Sequence, residues 1–375
     1  DNFVSDMDHE IRTSVNSLIG AIEVLDTIDQ SPDQSRVIGI IRNSAFSLMG
    51  IIDDISGPTK IDAGRLNTTD AKIELCLVIE GAVETLQTMA DDRDVRLGLS
   101  IDPDVPTWVL ADAVRLRQIV LNILSNAIKY TAQDLIGRTG WVYLSVNKVD
   151  SNIVIKVQDE GIGISQEFQK RLFRPYAQDD AAWKPQISGT GLGLVISKRI
   201  IQQMDGKLTI KSKQNTGTTI TVELPLREMS KHQSDQCFRD LKINYVRQEG
   251  MREMWNLTKN LQKQGAIVIK QILSNEINDL KAAPESGVIF ILQSKLAEQI
   301  TAWRDHIRKN VSDPKFIILA EKRSDKLGQL EKDTFFIQVN PVLPTKLNNA
   351  LLFLSGHKKP SLVQQKKTYK PSIET

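Results

Sequence analysis

The chain has 375 residues, 41% of them hydrophobic and 25% charged, enough apolar mass for two or three cores and too much for general disorder. Lys plus Arg number 48 against 46 acidic residues, a net charge of +2, which gives no field pointing to nucleic acid as the main partner. The cysteines, Cys76 and Cys237, are far apart and form no C-x-x-C pair, which excludes a disulfide framework or thiolate zinc site and fits a reducing cytosolic compartment.

From Phe3 to Leu25 apolar residues fall at Phe3, Met7, Ile11, Val15, Leu18, Ile22 and Leu25, every three or four positions. This predicts a helix with one apolar stripe. Ser31-Pro32-Asp33 reads as a turn and helix start, and Val37, Ile41, Ser44, Leu48, Ile51 and Ile55 repeat the pattern on a second helix, kinked at Gly57-Pro58. Two helices expose too much apolar surface to stand alone, so the hairpin of residues 1–67 is expected to pair into a four-helix bundle as a homodimer.

After Asp70 strands and helices alternate. Strands are predicted at Val95–Ile101, Trp141–Val149, Ile153–Asp159, Lys207–Lys213 and Thr218–Leu224, and helices at Leu75–Ala90, Ala113–Tyr130 and Gly191–Met204. Residues 68–228 therefore form an α+β layer domain. The polar run Arg227–Asp235 reads as a linker. Beyond it lie short strands at Leu241–Val246, Ala266–Ile269, Gly287–Leu292, Lys315–Leu319 and Thr334–Gln338. Helices are predicted between or after them at Met251–Gln264, Ser274–Ala282, Leu296–Lys309 and Thr345–Leu354, the pattern of a doubly wound α/β domain over 235–357. Residues 358–375 form a basic tail. No apolar run is long enough to span a membrane. The chain also lacks an initiator Met and opens on helix-like sequence, as a piece of a longer protein with sensor or membrane segments upstream would.

Among four histidines, His232, His306 and His357 sit in linker, charged helix and tail and read as solvated surface residues. His9 lies between stripe positions Met7 and Ile11, turned toward solvent, with Glu10 beside it and Thr13 in the next turn. Alone it would more often be a surface histidine than a reactive one. Asn122, Asn126, Lys129 and Tyr130 line one edge of an otherwise apolar helix, a pattern that a merely wetted helix edge also gives. Asp159-Glu160-Gly161-Ile162-Gly163 follows a strand, and Gly189-Thr190-Gly191-Leu192-Gly193-Leu194 opens a helix. Glycines let backbone amides approach an anion, and helix starts favour phosphate. Neither box has the spacing of a nicotinamide fingerprint or a P-loop.

The run Phe3 to Thr13, with its core His9-Glu10-Ile11-Arg12-Thr13, resembles the phosphoacceptor box of sensor histidine kinases. It departs from that box at Asp8, where the family has Ser, and at Ser14, where it has Pro. The ordered set of Asn helix, Asp-x-Gly-x-Gly, Phe173 region and Gly-x-Gly-x-Gly resembles the ATP-binding domain that histidine kinases share with gyrase, Hsp90 and MutL. Arg174 stands where the family's Phe-box carries Glu. The resemblance implies that ATP with Mg²⁺ is bound and that His9 takes up the γ-phosphoryl. Glu10 is then the base, and Thr13 serves phosphate removal from a partner. It also implies Asn126 as the Mg²⁺ ligand, Asn122 in the same nucleotide-binding set, Lys129 at phosphate and Tyr130 near the nucleotide. Asp159 then accepts from the adenine amino group, Gly161 and Gly163 make room for the base, Gly189 to Leu194 closes over the phosphates, and Thr218 lies behind adenine. An Asp of a receiver domain, in this protein or in a response regulator, would take the phosphate onward. A signalling scaffold acting by docking, or an ATPase clamp, stands as an alternative.

The alternation beyond Asp235 looks like a receiver domain, as in hybrid histidine kinases. A working receiver gathers an acidic pair after its first strand and an Asp at the end of its third. Here the first strand ends in Val246-Arg247-Gln248, with Glu249 the only acid nearby, no Asp lies between Glu285 and Glu298, and Asn340 replaces the Lys before Pro341. A degenerate receiver, unable to accept phosphate, is expected.

Overall fold

A computed structural model describes residues 13–14, 17, 20–22, 70–132, 139–174, 177, 193–229, 238–239, 241–249, 256–273, 288–294, 296–320, 330–331, 333–338 and 340–356. The expected hairpin therefore lies almost wholly outside the described residues. Thr13, Ser14, Ser17 and Gly20 to Ile22 are helical, and Ser17 Oγ donates to the Thr13 carbonyl at 2.9 Å, the back-bond of a helical turn. The kink at Gly57-Pro58 is likewise outside them. The chain divides into two compact units, Asp1–Arg96 with Pro106–Lys231, and Leu97–Val105 with His232–Thr375.

In chain order β1 (Ala71–Glu74) leads into α1 (Leu75–Asp91), followed by β2 (Val95–Ile101), of which the unit division leaves only Val95 and Arg96 in the first unit, then β3 (Trp108–Ala111) and α2 (Ala113–Ala132). Then come β4 (Gly140–Val149), β5 (Asn152–Asp159), the single turn α3 (Gln166–Gln169) and α4 (Gly193–Gln203). The hairpin of β6 (Lys207–Lys213) and β7 (Gly217–Leu224) is followed by β8 (Arg227–Glu228). Two sheets result, ordered β2-β4-β5-β7-β6 and β1-β3-β8. The second sheet was absent from the predicted elements. Its last strand corrects the reading of Arg227–Asp235 as linker, because Arg227 and Glu228 pair antiparallel with Leu110 and Val109. Pairing makes these strands; each is too short to carry a countable period.

The helix α2 buries Leu116, Ile119, Val120, Ile123, Leu124, Ala127, Ile128 and Thr131, a stripe at spacings of three and four that faces the sheet. In β5 burial alternates without a break, with Ile153, Ile155 and Val157 inward. The same period puts Asp159 on the inward face.

The second unit contains β9 (Lys242–Arg247), α5 (Leu257–Lys263), β10 (Ile267–Leu273) and β11 (Ile289–Gln293). It continues with α6 (Ala297–Asn310), β12 (Lys315–Ala320), β13 (Leu330–Glu331), β14 (Thr334–Gln338) and α7 (Pro344–Leu354). The sheet order is β10-β9-β11-β12-β14-β13, with only β13 antiparallel to its neighbour. Omitting that short strand, this is the order 2-1-3-4-5 of flavodoxin-like doubly wound sheets. One core face holds Leu257, Leu261, Leu347 and Leu351, and the other holds Ile300, Trp303 and Ile307, so helices cover both sides. β11, Ile-Phe-Ile-Leu-Gln, is buried throughout, which explains its continuous apolar run. The expected helix at Ser274–Ala282 lies outside the described residues, as does Met251–Trp255 of the predicted helix before it.

Candidate nucleotide site

The site begins at the inward end of β5. Asp159 is 9% exposed, and its Oδ1 accepts the Gly161 N–H at 2.9 Å and the Thr218 N–H at 3.0 Å. Among the described residues no donor reaches Oδ2. Burial pushes the carboxyl up to about 6 against the pull of those two amides, because desolvation penalises the charged form more than two neutral donors stabilise it. The result is a buried carboxylate with one oxygen fixed and the other available to a hydrogen-bond donor.

The chain beyond Asp159 folds back onto α2 and onto the β6–β7 hairpin at distances only glycine permits. A Cβ on Gly161 would stand 2.7 Å from the Tyr130 carbonyl oxygen. Gly163 has φ +65, and a Cβ there would stand 2.0 Å from the Lys213 carbonyl oxygen, so both backbone sign and space require glycine. The Asn215 N–H donates to Ile162 O at 2.7 Å, and Ile164 N–H donates to Ser212 Oγ at 2.8 Å. Gln169 Nε2 donates to both Ile164 O and Ser212 O, at 2.8 and 3.1 Å. Across the hairpin, Ser212 Oγ lies 2.9 Å from Thr218 Oγ1 and 3.1 Å from Gly217 O. Ser212 and Gln169 are parts of the site that sequence reading missed. Nothing sets a strand serine or a surface-helix glutamine apart until the contacts are known.

On α2 the polar edge is divided in use. Asn126 is half-buried and its carboxamide makes no hydrogen bond among the described residues. Asn122 Nδ2 instead donates to Gly193 O at 3.2 Å and Ser197 Oγ at 3.3 Å. Its amide hydrogens thus hold the start of α4, the helix that the glycine box opens. Lys129 Nζ lies 5.3 Å from the Tyr130 ring centroid, and Tyr130 is 38% exposed. Burial, with a further push from Arg93, lowers the Lys129 pKa below the ordinary lysine range. In the Phe box Lys198 Nζ stands 4.2 Å from the Phe173 ring centroid, a cation–π contact tying that turn to α4. Of the glycine box, Gly193 and Leu194 begin α4, whereas Gly189, Thr190, Gly191 and Leu192 lie outside the described residues, as do His9 and Glu10. Thr13 is helical and exposed.

The arrangement fits an adenine nucleotide. Asp159 Oδ2 suits an exocyclic amino group, while the free Asn126 oxygen suits a hard cation that draws its other ligands from phosphates and water. Lys129 adds positive charge along the same helix edge.

Comparison with known proteins agrees with this chemistry. Residues 111–228 match the family described as histidine kinase-, DNA gyrase B-, and HSP90-like ATPase, and residues 1–64 match the His Kinase A (phospho-acceptor) domain. The signal transduction histidine-protein kinase BarA of Escherichia coli K12 is 29% identical over 374 residues, covering 96% of this chain and 40% of BarA. The sensor histidine kinase GacS of Pseudomonas protegens is 36% identical over 225 residues, 60% of this chain and 24% of GacS. The chain thus spans well under half the length of these curated relatives. The crystal structure of full-length ShkA in complex with AMPPNP matches the fold with a TM-score of 0.65 at 18% identity, covering 96% of this chain and 73% of that one. The chain thus carries a phospho-acceptor domain followed by an ATPase domain of this type, and the relatives it resembles are histidine kinases.

Proposed function

We propose that the chain is the core of an ATP-dependent histidine kinase of a two-component system, which autophosphorylates His9. The observation that carries this reading is the inward Asp159, with one oxygen bound by two amides and the other without a donor among the described residues, in a chain that also has a phospho-acceptor domain. Asp159 selects the adenine amino group, and Lys129 attracts the phosphates. Mg²⁺, held by Asn126, would neutralise developing charge on the phosphates when bound. An imidazole nitrogen of His9 attacks Pγ, the bond from Pγ to the bridging oxygen breaks, and ADP leaves. Glu10 takes the proton from the other ring nitrogen. Thr13 acts when the same site removes phosphate from a partner. The hairpin makes a homodimer, and a receiver Asp accepts the phosphate next. The cytoplasm is the compartment that supplies ATP and fits the free Cys76 thiol. No described helix is long and apolar enough to cross a membrane.

The second unit is read as a receiver-like domain that does not accept phosphate. Its sheet order supports the fold, and Arg247, Gln248 and Gln293 stand at the strand ends where a working receiver gathers carboxylates. A regulatory docking role suits it.

The test of the kinase reading uses γ-labelled ATP with the wild-type chain and His9→Gln. The wild type should acquire an acid-labile label and the variant none, with ATP binding retained in both. Equal labelling of the variant would sink the assignment of His9.

A further inference from the structure

We infer that Asn122 is a positioning residue: it acts on the nucleotide's phosphates through the first peptide of α4, which it holds in place, and not as a ligand of phosphate or cation. The inference rests on the reading of the site as an ATP site.

The hydrogen-bond pattern fixes which end of the carboxamide is used. Ser197 Oγ donates its one proton to Gly193 O at 2.9 Å, so toward any further partner it can only accept, and a carbonyl never does anything else. Asn122 faces both, Gly193 O at 3.2 Å and Ser197 Oγ at 3.3 Å. An oxygen there would meet two acceptors, so the amide nitrogen stands there and each of its two hydrogens has one taker. The rest of the carboxamide lies against the same residue. A Cβ on Gly193 would stand 3.6 Å from Asn122 Cγ, 3.7 Å from Nδ2 and 3.8 Å from Oδ1, so the flat face of the group is packed on the start of α4.

What this clasp controls follows from peptide geometry. The peptide unit is planar and trans, so its C=O and N–H point opposite ways. Gly193 and Leu194 are the first residues of α4, and pinning the Gly193 carbonyl to α2 sets the direction of the Leu194 N–H. That amide belongs to the first turn, whose N–H groups have no acceptor within their own helix and favour phosphate. Asn122 and Asn126 are four residues apart on α2, neighbours on one edge, so the clasp stands one turn from the candidate cation ligand. A cation on Asn126 and the amides of α4 can then serve one phosphate chain, with Asn122 keeping their spacing constant. Ser197 is fully buried and takes part only through Gly193 O and Asn122.

The experiment titrates AMPPNP, and adenosine as a ligand without phosphates, into the wild-type chain, Asn122→Ala, Ser197→Ala and the double variant. Calorimetry is run with Mg²⁺ and in EDTA. Asn122→Ala should weaken AMPPNP about tenfold, the worth of one net hydrogen bond, equally with and without Mg²⁺, and leave adenosine within about twofold. Ser197→Ala should show the same signature more weakly, and the double variant should be no worse than Asn122→Ala, because both side chains act on one carbonyl. A loss confined to Mg²⁺ would make Asn122 a cation ligand, and an equal loss for adenosine would make it a packing residue. Either of these, additive losses in the double variant, or no loss at all would overturn the inference. If Asn122→Ala does not fold by circular dichroism, Ser197→Ala decides by its Mg²⁺ dependence and its adenosine affinity. A wild-type chain that binds neither compound would refute the ATP reading itself, which separates the two failures.

Discussion

The raised pKa of Asp159 makes nucleotide affinity dependent on pH in a calculable way. In the folded chain its carboxyl titrates at about 6 against an ordinary 3.8. That difference corresponds to roughly 3 kcal/mol against the ionised form. Because the folded value is the higher, the folded chain holds the extra proton between about pH 4 and 6, and the free protein loses stability as pH rises through that window. Binding reverses the sign. An adenine amino group on ionised Oδ2 makes a charge-assisted bond worth roughly 1.5 to 3 kcal/mol. The Asp159 contribution to ATP affinity should therefore be flat above about pH 6.5 and fall roughly tenfold per unit below 6, ending one to two units lower, where the bound carboxyl also protonates. The γ-phosphate of ATP titrates in the same range, so the assay takes the ratio of dissociation constants for Asp159→Asn and wild type, in which the phosphate cancels. Measured by calorimetry from about pH 8 to about pH 5, this ratio should begin at roughly tenfold to a hundredfold and shrink with a midpoint near 6. A ratio that stays constant, or that begins to shrink only near pH 4, would refute the claim that burial of this carboxyl governs recognition.

Asn126→Ala should abolish the Mg²⁺-dependent part of ATP affinity while leaving affinity in EDTA within about twofold, since among the described residues its carboxamide makes no hydrogen bond that would be lost with it; equal loss with and without Mg²⁺ would exclude Asn126 as the ligand. The full chain incubated with Mg²⁺ and acetyl phosphate should form no base-labile acyl phosphate in 235–357, and a stoichiometric acyl phosphate there by mass spectrometry would prove the second unit a working receiver.

The parts legible in the sequence are those whose period matches their environment. Ile153, Ile155 and Val157 alternate, and the strand ends at Asp159, so both the element and the inward carboxyl can be read from spacing. The stripe of α2 is equally plain. Spacing gives a face and not a partner, however. Asn122 and Asn126 share an edge and look equivalent, yet the Asn122 amide is committed to Gly193 and Ser197 while Asn126 makes no hydrogen bond among the described residues. Ser212 matters only because Gly163 and Gly217 allow two loops to close on it, a coincidence of segments some 50 residues apart. The sheet β1-β3-β8 was hidden for a related reason. Strands of two to four residues exist only through their partners.

In the second unit the same logic separates fold from chemistry. Its sheet is held by Tyr245, Val246, Phe290, Ile291, Leu292, Ile317 and Ile318, all buried, and none of these needs an acidic neighbour. The crevice where the strand order reverses lies at the carboxyl ends of β9 and β11, the place where doubly wound sheets bind ligands. There Tyr245 donates its hydroxyl to Gln293, and the Gln248 N–H donates to Gln293 O at 3.0 Å. Ser294 Oγ lies within hydrogen-bond reach of Gln248 Oε1 at 3.1 Å and Gln299 Oε1 at 2.8 Å, and accepts the Leu296 N–H at 3.0 Å. Gln293 and Ser294 are 2% and 3% exposed, so amides and hydroxyls are meeting one another's needs in the interior. Three carboxylates at this place would repel one another and require a cation or a proton to stay together. Neutral side chains that satisfy each other remove that cost along with the chemistry it supports. Among the described residues the unit thus keeps the sheet and helices of its fold with Gln293 and Ser294, and no carboxylate, at the end of β11, an arrangement that favours the proposed docking role over phosphoryl transfer.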